Sequence, residues 1–97
     1  MKIRNELWLS SAIELVNKSI DISKTDYKLL VCAFYEFISN KNLAKLISIL
    51  YKMDTSEVYL KIDNIIRKGI VETSEFQDVM GKLNENGLLN WLEENAD

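Results

Sequence analysis

The sequence predicts a mainly α-helical single domain, on three observations. Proline, the strongest breaker of helices, is absent from the 97 residues. Apolar residues recur at three- and four-residue spacing from Leu9 to Ile66, the period of helices that bury one face. Cap-forming Ser, Thr and Asp residues stand ahead of two of these runs, and Gly69 stands behind the last of them.

Each element follows in turn. Leu9, Ala12, Ile13, Val16 and Ile20 place a first helix over roughly Glu6 to Ser19, with Trp8 and Leu15 on a neighbouring face. Ser23 or Thr25 is expected to cap a second helix, whose stripe of Leu29, Leu30, Ala33, Phe34 and Phe37 ends in the turn-like Ser39-Asn40-Lys41-Asn42. A third, short helix carries Leu43, Leu46, Ile47 and Leu50 on one side. Asp54, Thr55 or Ser56 then caps a fourth, which buries Val58, Ile62 and Ile65 and stops at Gly69. Ile47, Tyr51 and Met53, a polar capping segment, and then Val58, Ile62 and Ile65 follow the order of a helix-turn-helix.

The stretch "MDTSEVYLKIDNIIRKGIVE" from Met53 to Glu72, with "ISKTDYKLLVCAF" before it and "LNENGLLNWLEEN" after it, resembles a family pattern. It is similar to the winged helix-turn-helix DNA-binding domain of multiple-antibiotic-resistance-regulator (MarR-like) proteins. There a short apolar scaffold helix leads into a recognition helix that ends in a leucine, two charged residues and Gly-Leu-Val-Glu. The likeness covers roughly Ile22 to Asn95. It implies one winged helix-turn-helix domain over 1–97, with a short β-hairpin wing after Gly69, reading double-stranded DNA with the helix at about 54–68. The chain departs from the pattern in charge, with Glu57 and Asp63 on the recognition helix and Glu72, Glu75 and Asp78 in the wing. It also lacks the long C-terminal helices with which such proteins dimerise.

Residues 70–83 fit two structures. Ile70 to Thr73 favours a strand, and Gly81 disfavours a helix interior, so the hairpin is the expectation. The capping-box spacing of Ser74 and Gln77, with Phe76, Val79, Met80 and Leu83 at helical period, supports the runner-up, an all-α helix-turn-helix bundle without a wing.

Charge separates along the chain although the net charge is only -3. Lys41, Lys45, Lys52, Lys61, Arg67 and Lys68 face Asp54, Glu57 and Asp63, whereas beyond Gly69 Lys82 alone faces Glu72, Glu75, Asp78, Glu85, Glu93, Glu94 and Asp97. A basic centre and an acidic tail suit a chain that meets phosphate with one face only. Lys41, Lys45, Lys52, Thr55, Ser56, Tyr59, Lys61 and Asn64 are the expected DNA contacts, since these side chains reach phosphates or base edges. Trp8 and Leu15, with Leu88, Trp91 and Leu92, are expected to form a homodimer interface, because they add more apolar area than so small a domain can bury.

Chemistry is sparse. His is absent and Cys32 is alone, so no disulfide, metal site or cofactor is expected. The carboxylate pairs Glu93 with Glu94 and Glu72 with Glu75 lack a neighbouring nucleophile, and no enzyme is expected. The N-terminal stretch reads as neither signal peptide nor membrane span, which implies a cytoplasmic protein. The leading function is a small homodimeric DNA-binding protein, most simply a transcriptional regulator. A winged-helix centromere-binding protein of plasmid or phage partition systems is one alternative. The other is a helical protein-interaction module, an inhibitor or adaptor, whose acidic C-terminal surface docks on a protein partner without DNA.

Overall fold

The computed structural model describes residues 7–95, and at their centre lies α2 (Tyr27–Phe34), in which every residue from Leu29 to Phe34 is buried. A helix apolar on all sides can only sit among other helices. It is surrounded by α3 (Asn40–Tyr51), α4 (Thr55–Ile66) and α5 (Ser74–Glu85), while α1 (Trp8–Ser19) packs across α3 and α5 and α6 (Leu88–Asn95) closes over α1 and α5. Single 3-10 turns at Ile22–Lys24 and Ile70–Glu72 link the helices, and no strand forms among the described residues.

Local signals set most boundaries. The expected start of the first helix at Glu6 lies outside the described residues; its buried face is Ala12, Leu15 and Val16, and it ends where Ile20 turns to extended backbone. Asp26, rather than Ser23 or Thr25, caps α2 by accepting the Lys28 N–H at 3.0 Å. Ser39 caps α3 by accepting from the Asn42 N–H at 3.2 Å, so the turn-like Ser39-Asn40-Lys41-Asn42 is a helix start. In α4, Asp54 accepts from the Glu57 N–H at 3.0 Å, and Val58, Ile62 and Ile65 point inward.

The β-hairpin wing is not formed, which corrects the expected winged fold to the all-α bundle. α4 stops at Ile66 with Arg67 as its C-cap, earlier than the expected stop at Gly69, and Gly69, in the left-handed region at φ 71°, opens a 3-10 turn instead. Thr73 Oγ1 accepts the Phe76 N–H at 3.2 Å and starts α5. From there Val79 and Leu83 are buried, with Phe76 and Met80 packed beside them. A helix buries all four on one side, whereas a hairpin would bring only alternate residues to one face. Gly81 costs the helix about 1 kcal/mol, which this burial outweighs. Glu75 and Asp78 accordingly lie on the exposed side of a helix, where Asp78 pairs with Lys82 at 3.1 Å.

The terminal helices pack on the protomer's own core. Leu15, Leu88 and Trp91 are buried within one chain, and Trp8 and Leu92 are half-buried against the same core. Trp91 meets Phe34 edge-on, at 5.9 Å between ring centroids, and its Nε1 donates to Ser11 Oγ at 2.9 Å. These two contacts hold α6 on its own α1 and α2.

Candidate docking groove between α3 and α4

The hairpin of α3 and α4 begins with a strained residue. Lys52 stands at φ 55° and ψ 45°, the left-handed region, with its N–H directed to the Ser48 carbonyl; the Met53 N–H reaches the same carbonyl at 3.1 Å. This is the left-handed helix stop usually given to glycine. Two residues later the Asp54 cap starts α4.

Side chains tie the two helices at both ends. Near the turn, Thr55 Oγ1 donates to Ser48 Oγ at 3.0 Å, and at the far end Asn40 Nδ2 donates to Asp63 Oδ1 at 3.5 Å. Were the helices at right angles, Asn40 and Asp63 would stand roughly 20 Å apart, given ~1.5 Å of rise per residue. Contact there means that α4 folds back along α3.

Between the ridges lies an open groove of about 420 Å³ lined by Lys41, Ala44, Lys45, Thr55, Ser56, Tyr59 and Leu60. Ala44 lies fully buried at the base of the groove. On α4, Leu60 is 79% exposed and Tyr59 50% exposed, although a leucine there forfeits its burial energy of roughly 1.5–3 kcal/mol. Lys41 and Lys45, one turn apart on α3, edge the groove with long stems and charged tips. Among the described residues the Lys82–Asp78 contact is the one ion pair, so both lysine tips are uncommitted.

The expected DNA contacts therefore divide. Lys41, Lys45, Thr55, Ser56 and Tyr59 line one groove. Lys61 and Asn64 are exposed on α4 outside it, and Lys52 borders a separate depression with Ile22, Tyr27 and Tyr51. The sequence reading passed over Ala44 and Leu60 as site residues; the signal for both was a small and a large apolar side chain set among lysines and hydroxyls.

Elsewhere the chemistry is quiet. Burial raises the Cys32 thiol above its usual range, which keeps it in the unreactive protonated form. Among the described residues no group of three or more His, Cys, Asp and Glu side chains is placed to hold a metal, and no helix is long and apolar enough to cross a membrane. No family model matches the chain, nor does any curated protein or solved structure. The MarR-like resemblance thus rests on the spacing of apolar residues.

Proposed function

We propose that the protein is a helical protein-interaction module that takes an amphipathic helix, apolar on one face and acidic on its flanks, in the groove between α3 and α4. The observation that carries this reading is Leu60, a large aliphatic side chain held almost wholly in water beside an apolar groove. Exposed apolar area next to a concave surface is the usual mark of a contact site. A helix laid there would set residues one turn apart against Ala44, Tyr59 and Leu60, and its carboxylates would meet Lys41 and Lys45. Tyr59 supplies the broad, stiff ring that concentrates binding energy at such sites.

Titrating the isotope-labelled protein with a designed Leu- and Glu-bearing helical peptide, followed by NMR, tests it. Amide shifts clustered on Ala44, Lys45, Tyr59 and Leu60, and lost in Leu60→Glu, are the expected result. Shifts scattered over the surface, or none at about 1 mM peptide, would count against the groove.

A second reading, double-stranded DNA binding by a transcriptional regulator, is favoured by Lys41, Lys45, Lys52 and Lys61 around the hydroxyls of Thr55 and Ser56. It requires affinity that falls steeply with salt and that disappears in a Lys45→Glu, Lys61→Glu variant. A duplex-binding assay at low ionic strength that shows no binding, or binding indifferent to both reversals, removes it.

A further inference from the structure

We infer that the groove's occupant is the outer face of α6 from a second copy of this chain, so that copies associate head to tail. The inference rests on the docking function proposed for the groove and goes beyond it by naming the partner.

The other half of the contact lies on α6. Leu88, Trp91 and Asn95 turn inward, which leaves Leu89, Asn90, Glu93 and Glu94 exposed; Leu89 is 66% exposed and stands one turn from Glu93. This is an aliphatic knob with carboxylates beside it. The groove offers the complement, an apolar floor of Ala44, Tyr59 and Leu60 edged by Lys41 and Lys45. With α6 of one copy in the groove of another, apolar surface meets apolar surface and carboxylate meets ammonium.

Two other arrangements fail on the same facts. A chain cannot fill its own groove with α6, because Leu88 is buried, Trp91 is held by Ser11 and Phe34, and α6 packs on α1 and α5. A two-fold pairing of groove with groove gathers Lys41 and Lys45 of both copies in one contact without the α6 carboxylates to offset them. In a head-to-tail pair one groove and one α6 stay unfilled at the two ends, so further copies add as concentration rises, into a ring or an open chain.

Sedimentation equilibrium from tens of micromolar to about 1 mM protein tests this. The expected result is an average mass that keeps rising rather than levelling at two copies. Lys41→Glu with Lys45→Glu reverses the groove, and Glu93→Lys with Glu94→Lys reverses the knob. Each double variant alone should lose association by about tenfold or more, and an equimolar mixture should recover it, because every groove then finds an opposite knob. Matching circular dichroism melts guard against unfolding. A monomeric wild type at about 1 mM, a plateau at the dimer mass, or a mixture that stays monomeric would each overturn the inference. Peptide binding to a wild type that stays monomeric would leave the groove function standing and remove only the second copy as its occupant.

Discussion

Lys52 shows how one residue can be set by geometry against its own preference. A side chain bearing Cβ in the left-handed region costs roughly 1–2 kcal/mol, and Lys52 accepts this so that α3 can stop and α4 can fold back. Lys52→Gly removes the strain but adds freedom to the unfolded chain, so a net gain of roughly 0.5–1 kcal/mol is expected in urea unfolding. A lower midpoint would mean that the lysine side chain, exposed as it is, supplies a compensating contact. Next to it, Tyr51 donates its hydroxyl proton to the Thr25 carbonyl at 2.8 Å. Burial, and then the Asp26 charge, push its ionisation up from 10.0 to about 12. The folded value is the higher one, so the stabilisation is fully present below pH 10 and is lost as pH rises toward 12. Alkaline unfolding of wild type should steepen in that window, and Tyr51→Phe, with no proton to lose, should show a shallower decline.

At the scale of elements, the periods of α1, α3 and α4 were legible in the sequence, because a helix that buries one face must repeat its apolar residues, whereas the stop of α4 at Arg67 was not, since no glycine marks it. The continuation after Gly69 was not legible. Ile70 to Thr73 has β-favouring side chains, and local preference cannot reveal that Val79 and Leu83 gain more by packing together under α2. The role of Trp91 was hidden for a related reason: a stripe on a terminal helix reads the same whether its cover is another copy or the chain's own α1. The structure decides for the latter, and Trp91→Ala should accordingly cost about 3–5 kcal/mol in stability. A variant that melts like wild type would return Trp91 to the surface. Ser11→Ala isolates one part of this, since it leaves the indole N–H without its acceptor.

Across the whole molecule, the basic centre and acidic C-terminal region seen in the sequence become two separate surfaces, the α3–α4 hairpin and the outer sides of α5 and α6. The candidate site was partly legible, since Lys41, Lys45, Thr55, Ser56 and Tyr59 were singled out as polar groups and do share one groove. The exposure of Leu60, opposite the Val58, Ile62, Ile65 stripe, was legible too; that Ala44 of α3 lies beside it in one groove was not, because that depends on how α4 packs against α3. The bond between Ser11 and Trp91 spans 80 positions of chain, and that span orders events in time. Closing α3 on α4 restricts a three-residue turn, whereas seating α6 on α1 restricts nearly the entire polypeptide, and the entropy of closure grows with the length enclosed. The hairpin should therefore be formed at the folding barrier and the clasp of the two end helices only beyond it. In stopped-flow experiments Ile62→Val should slow refolding, while Leu88→Ala should leave refolding nearly unchanged and speed unfolding. The reverse pattern would mean that folding starts at the ends.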